Sequence, residues 1–153
     1  MARYRSITIG LMLGIGLMLM LTGANPTFAE YDNTSIADKN SVTYWLDQGG
    51  LLSTYGNPKA AIRAYEKALA LAPNNAETIF DMGVAYADMG DHQKALVLID
   101  RAISLSPESG RYHYGRGWVL MLSGQNDQAY PEFQKAAELG NRDAIAYLEG
   151  SAR

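Results

Sequence analysis

The sequence predicts an all-α protein built from stacked helix–turn–helix units, a solenoid of three repeats followed by a C-terminal capping helix. The stretch Ala61–Asn75, AIRAYEKALALAPNN, recurs 34 residues later as Ala95–Ser109, ALVLIDRAISLSPES. Within each stretch the apolar residues recur at helical spacing. A fixed period of this size is typical of stacked supersecondary units, because none of them can bury its apolar face alone.

The first 29 residues form a pattern that is typical of a secretory signal. Arg3 and Arg5 precede an uncharged stretch that ends in small residues at position 29. Its dense apolar part, residues 7–21, is shorter than the roughly 20 residues that span a bilayer, so the sequence favours a cleaved signal over an uncleaved N-terminal anchor. In either case we expect the rest of the chain outside the cytoplasm, in the bacterial periplasm, or in the thylakoid lumen if the source is photosynthetic. Residues 30–41 are mostly polar and lack periodicity, which favours a tether.

Three copies of the repeat follow, at residues 42–75, 76–109 and 110–143. Small residues recur at the same phase in all three, which suggests that two helices cross too closely there for a larger side chain. We expect the glycines of the first helix to face the alanines of the second. The aligned sets are Gly49, Gly83 and Gly117; Ala61, Ala95 and Ala129; and Ala68, Ala102 and Ala136.

Each copy contains the signals for two helices. In the first copy Gly56 suits the left-handed residue beyond a helix end, Asn57 is a good N-cap, and Pro58 fits the first helical position. Pro73 then ends the second helix. In the third copy Pro131 lies near the start of the second helix, where we expect it to loosen the first turn. After this copy, residues 144–153 predict a short helix that caps the end of the stack.

The repeated pattern resembles the tetratricopeptide repeat family, whose 34-residue unit carries Trp, Gly, Tyr, Ala, Phe, Ala and Pro at these places. The resemblance covers residues 42–143. The chain departs from the family pattern at Gln48, His113 and Arg116, where the family usually has apolar residues. We therefore expect the third copy to pack less regularly.

Composition excludes several classes of function. The formal net charge is −3 and no basic tract occurs, so nucleic acid is not an expected partner. The absence of cysteine excludes disulfides and thiolate metal sites. His92 and His113 are the only histidines, and no metal-ligand spacing or nucleophile elbow is present. We therefore predict no catalytic residue, no metal and no cofactor, and a protein that is not an enzyme.

The resemblance implies a partner-binding groove lined by the first helix of each repeat. Carried over by alignment, this groove has four carboxylates and one cation, Arg111. Three aromatic residues, Phe80, Tyr114 and Trp118, are expected to be exposed and to act as anchors. The predicted groove residues are Leu46, Asp47, Glu77, Phe80, Asp81, Val84, Asp88, Arg111, Tyr114, Trp118 and Met121.

Some members of the family grip a C-terminal carboxylate with five Lys, Arg and Asn side chains. Here those places hold Leu46, Gly50, Asp81, Arg111 and Gly115, so the resemblance retains only Arg111. The sequence therefore contradicts a carboxylate clamp.

These observations favour an extracytoplasmic adaptor or assembly factor that binds a protein or peptide segment. The alternative is a membrane-tethered structural subunit of an envelope complex, in which residues 7–24 stay in the bilayer. A third hypothesis, from a different class, is a small-ligand binder or enzyme that uses Asp81, Asp88 and Arg111.

Overall fold

The computed structural model describes residues 41–151, and helices are the only regular elements in that range. The all-α prediction is confirmed. The predicted signal and nearly all of the predicted tether lie outside the described residues. Within residues 41–151, none of the helices has the length and apolarity needed to cross a membrane. The helices are α1 Val42–Thr54, α2 Pro58–Leu71, α3 Ala76–Asp88, α4 His92–Leu105, α5 Gly110–Leu122, α6 Asn126–Glu138 and α7 Arg142–Ser151.

The helices pack in the order in which they occur in the chain. The most extensive contacts join α1 to α2, α3 to α4 and α5 to α6, which are the three helix–turn–helix pairs. Smaller contacts join α2 to α3 and α4 to α5, and these stack successive pairs. The first helices of successive pairs also touch, α1 with α3 and α3 with α5. The result is the predicted solenoid.

The turns within the pairs carry the predicted caps. Gly56 has φ +72° and Gly90 has φ +81°, the left-handed conformation that glycine adopts without steric cost. The Asn57 side chain accepts a hydrogen bond from the N–H of Ala60 at 3.2 Å. Such a bond satisfies one of the amide groups that the first turn leaves unpaired. Local sequence therefore sets where the second helix of the pair begins.

The expected close crossings are confirmed. A Cβ atom at Gly83 would lie 3.0 Å from Cγ1 of Ile99 and 3.2 Å from the carbonyl oxygen of Ala95. The other two aligned glycines face the residues equivalent to Ile99, namely Tyr65 for Gly49 and Phe133 for Gly117. The expectation that the glycines face the alanines is met only by the carbonyl oxygens of Ala95 and Ala129, because the facing side chain is in each case this larger residue.

Pro131 is the sixth residue of α6, and the expectation that it loosens the first turn is wrong. The N–H of Ala129 donates to the carbonyl oxygen of Gln125 at 3.1 Å, so the first turn is intact. Pro131 lacks the N–H that would have donated to the carbonyl oxygen of Asp127, so the lost hydrogen bond lies in the second turn of the helix. The helix nevertheless continues to Glu138.

In the third pair a polar network occupies the places where the family usually has apolar residues. Arg116 donates to Asp100 at 2.6 Å and to Glu132 at 2.8 Å. His113 contacts the second Glu132 oxygen through Nδ1 at 2.8 Å and donates through Nε2 to the carbonyl of Pro107 at 3.1 Å. The network joins α4, α5 and α6, so the third pair is tied to the second by ion pairs where the family uses apolar contacts.

The last helix, α7, packs on α6. Ala144 is fully buried, and the Tyr147 ring lies with its centroid 4.4 Å from that of Phe133. Leu148 packs against the same cluster, whereas Ile145 is exposed. These contacts are those that a capping helix requires, and the capping role itself stays a prediction.

Candidate protein-interaction face

The predicted groove residues lie on α1, α3 and α5. We call this set, together with Leu122, the helix-A face. Because α1 contacts α3 and α3 contacts α5, residues 34 apart form rows that run from one repeat to the next. One such row contains Thr54, Asp88 and Leu122, and another contains Gly50, Val84 and Trp118.

Phe80 is buried, and the expectation that it is an exposed anchor is wrong. Its side chain is 4% exposed and its ring stacks on that of Tyr112, with centroids 4.7 Å apart. A Cβ atom at Gly115 would lie 2.6 Å from Cε2 of Phe80. The ring therefore fills the space that a side chain at position 115 would take. The glycine at position 115, in a first helix of the next repeat, is the sequence signal that could have revealed this.

Tyr114 and Met121 are half-buried and pack against a core cluster, so the expectation that Tyr114 is exposed is also wrong. The Tyr114 ring lies with its centroid 5.6 Å from that of Phe133, and burial raises the pKa of its hydroxyl. The Tyr147 hydroxyl donates to Sδ of Met121 at 3.5 Å. Both residues are therefore held by contacts with α6 or α7.

Trp118 and Leu122 are the exposed apolar pair on this face. Trp118 is 44% exposed and Leu122 is 49% exposed. They are four residues apart on α5, so their side chains are neighbours on one side of the helix. In contrast, Leu46 and Val84 are half-buried and pack against the clusters beneath them.

Arg111 is held by acidic neighbours and by an aromatic ring. Its Nη2 atom donates to Oδ1 of Asp81, and Nη1 lies 3.7 Å from Oε1 of Glu77. The guanidinium carbon lies 4.7 Å from the centroid of the Phe80 ring, a cation–π distance. Two of the four predicted carboxylates therefore face the one predicted cation of this face.

Burial raises the pKa of Asp81 above its ordinary value of 3.8. The Arg111 guanidinium acts in the opposite direction, and the Glu77 charge adds to the rise. Burial also raises the pKa of Tyr65 to about 12, with further contributions from Asp81 and Asp88. The negative charges of Asp81 and Asp88, both on α3, therefore both disfavour ionisation of the Tyr65 hydroxyl group on α2.

Asp47 and Asp88 are the exposed carboxylates that Arg111 does not neutralise. Across the described part of the chain, neither of them forms an ion pair. The helix-A face therefore presents negative charge on the first and second repeats, and apolar surface on the third.

Three clefts lie away from this charged group. One of about 580 Å³ lies beside the turns of the second and third pairs and is lined by His92 and Gln125. The others, of about 410 and 250 Å³, are lined by residues of α5–α7 and of α1–α2. No group of three His, Asp or Glu side chains within the described residues could hold a metal ion. The third hypothesis placed a small-ligand site at Asp81, Asp88 and Arg111. The raised pKa of Asp81 favours it, but none of these three residues lines any of the three clefts.

Comparison with known proteins agrees with this architecture. The family model for the tetratricopeptide repeat matches residues 53–119. The chain is 31% identical over 129 residues to tetratricopeptide repeat protein 36 of Danio rerio. The match covers 80% of this chain and 69% of that protein. It is 29% identical over 126 residues to the photosystem I assembly protein Ycf3 of Prochlorococcus marinus, with 75% of this chain and 73% of that protein covered.

Among solved structures the chain resembles the crystal structure of MamA. The TM-score is 0.61 at 28% sequence identity, and the match covers 72% of this chain and 64% of MamA. The chain matches only part of several longer relatives, 23% of the length of one and 8% of another. A fold of this kind generally serves as a scaffold for protein interactions, and the relatives support an interaction or assembly role. The helices, the 34-residue period and these relatives together show that the chain belongs to the tetratricopeptide repeat family.

Proposed function

We propose that this chain is an exported adaptor or assembly factor that binds a segment of another protein on its helix-A face. The observation that carries the proposal is the exposure of Trp118 and Leu122, 44% and 49%, side by side on that face. Tryptophan is enriched among the residues that dominate binding energy at interfaces. An exposed tryptophan beside an exposed leucine also leaves apolar surface in contact with water, which association would bury.

Two further observations support the role and the compartment. One relative is named a photosystem I assembly protein, which is the type of role that we propose here. The pattern of residues 1–29, with basic residues followed by an apolar stretch and small residues, supports export to the periplasm or, in a photosynthetic source, to the thylakoid lumen.

Site-specific photocrosslinking in the native envelope fraction tests the proposal. The full chain would carry the photoreactive residue p-benzoylphenylalanine in place of Trp118, and the control would carry it in place of Val97. Val97 lies on α4, is 65% exposed and is not part of the helix-A face. We expect a defined crosslinked protein from position 118 and none from position 97. Equal crosslinking at both positions, or none at 118, would contradict the proposal.

The alternative is a membrane-tethered structural subunit, favoured by the uncharged stretch before residue 30. The N-terminus of the mature chain distinguishes the two. A chain that begins at Asn25 or Glu30 supports the soluble adaptor. A chain that keeps residues 7–24 and sediments with membranes supports the tethered subunit.

A further inference from the structure

We infer that the helix-A face recognises a basic segment with an apolar side chain, its cations set against Asp47 and Asp88 and its apolar side chain against Trp118 and Leu122. This inference rests on the proposed function, because it assumes that the face is where a partner binds. It names the chemistry of that partner.

The first step is the internal pairing of Arg111. Asp81 accepts its hydrogen bond and Glu77 lies within 3.7 Å, so its charge is already opposed. A ligand carboxylate would have to compete with both of these groups. It would also meet the exposed charges of Asp47 and Asp88, and like charges brought together across an interface suppress binding.

The second step is the position of Asp88 at the end of α3. The last carbonyl groups of a helix carry partial negative charge, which favours a cation there. Asp88 therefore adds a full negative charge to a helix end that already attracts cations. A lysine or arginine of the partner fits this place better than any acidic or apolar side chain.

The third step is the arrangement of charge and apolar surface along one row. Leu122 is the residue of the third repeat that is equivalent to Asp88, and α3 touches α5. Packed helices lie about 10 Å apart and an extended chain advances roughly 3.3 Å per residue, so one repeat corresponds to about three ligand residues. The preferred ligand therefore has a basic and an apolar residue about three positions apart.

Three synthetic probe peptides of equal length test this chemistry with the mature chain. The first repeats Lys-Ser-Ser-Leu, the second Glu-Ser-Ser-Leu and the third Lys-Ser-Ser-Ser. Calorimetric titration at low ionic strength should give an affinity at least about tenfold higher for the first peptide than for the other two. Added salt should weaken its binding, because exposed charges are screened.

Matched double variants separate a local site from the bulk charge of the protein. Asp47→Asn with Asp88→Asn removes two carboxylates from the helix-A face. Glu66→Gln with Glu108→Gln removes two exposed carboxylates from elsewhere and changes the net charge equally. We expect only the first pair to lower the affinity for the Lys/Leu peptide, by about fivefold or more.

Equal losses in both double variants would overturn the inference, as would equal binding of the Glu/Leu peptide or no measurable binding of any peptide. These outcomes differ from failure of the proposed function. If position 118 crosslinks a partner but the peptides show no charge preference, the interaction face stands and the basic ligand does not.

Discussion

The ring of Tyr65 occupies the space that a Cβ atom at Gly49 would need. Tyr65 is 2% exposed and fills the space between α1 and α2. The same relationship recurs at Gly83 with Ile99 and at Gly117 with Phe133. A glycine in the first helix therefore receives a large side chain of the second helix in all three pairs.

Replacing Gly49 with alanine should destabilise the protein. The added methyl group would force the buried Tyr65 ring to move, and overpacking of this kind costs about 1–3 kcal/mol. Gly50 is the matched control, because an added Cβ there meets no atom within 4 Å. Gly50→Ala should instead stabilise α1 by roughly 0.5–1 kcal/mol. Urea unfolding measures both changes, and similar effects for the two variants would show that the crossing is not tight.

Trp118→Ala should weaken partner binding while the melting temperature stays close to that of the parent. Trp118 is 44% exposed and belongs to none of the buried clusters of the described residues, so its removal should cost little stability. Truncation of an interface anchor costs about 2 kcal/mol or more of binding energy. Phe80→Ala is the contrasting variant, because Phe80 is buried and its loss should cost about 3–5 kcal/mol of stability. Thermal unfolding and dissociation rates separate the two cases. A large drop in melting temperature for Trp118→Ala would show that Trp118 is a core residue.

Asp81→Asn should leave the free energy of unfolding at pH 7 unchanged or higher, although Asp81 bonds to Arg111. Because folding raises the pKa of Asp81, the folded state binds its proton more tightly than the unfolded state does. Asp81 therefore contributes most to the free energy of unfolding below its ordinary pKa of 3.8, and this contribution is lost as pH rises through its raised pKa in the folded protein. The difference in free energy of unfolding between Asp81→Asn and the parent should shrink as pH falls below this raised pKa.

Arg111→Gln is the complementary variant for this titration. It removes the charge that lowers the pKa of Asp81, so it should destabilise the protein at pH 7 more than at acid pH. In the double variant Asp81→Asn with Arg111→Gln this pH dependence should disappear. Urea unfolding at several pH values tests both statements, and an Asp81→Asn variant that is markedly less stable at pH 7 would contradict the sign.

Glu132→Ala should be more destabilising than Asp100→Ala. Glu132 bonds both to Arg116 and to His113 with its side chain 19% exposed, whereas Asp100 bonds to Arg116 with its side chain 53% exposed. Losing hydrogen bonds between partly buried charged groups costs about 1.5–3 kcal/mol, whereas an exposed ion pair is worth about 0–1 kcal/mol. Chemical unfolding of the two variants gives the comparison, and equal losses would show that Glu132 does not organise the network.

The sequence by itself determined the helices and their pairing. Gly56, Asn57 and Pro58 act through their own backbone and through residues a few positions away, so their effect on the turn is visible without a structure. The aligned glycines predicted the close crossings for a similar reason. The same helix crossing occurs three times at a spacing of 34 residues, so the glycine of each copy supports the interpretation of the other two.

The tertiary structure decided which residues of the helix-A face remain available to a partner. Phe80 and Trp118 are both aromatic residues in the first helix of a repeat. Only Phe80 is enclosed, because its ring stacks on that of Tyr112 and fills the space that a side chain at Gly115 would take. Arg111 was predicted as a groove cation, yet its charge is opposed by Asp81 and Glu77 of the preceding repeat. Exposure and charge pairing depend on side chains that come from a neighbouring repeat, about 30 residues away in the chain. Periodicity within one helix carries no information about them, and only the stacking of the repeats brings them together.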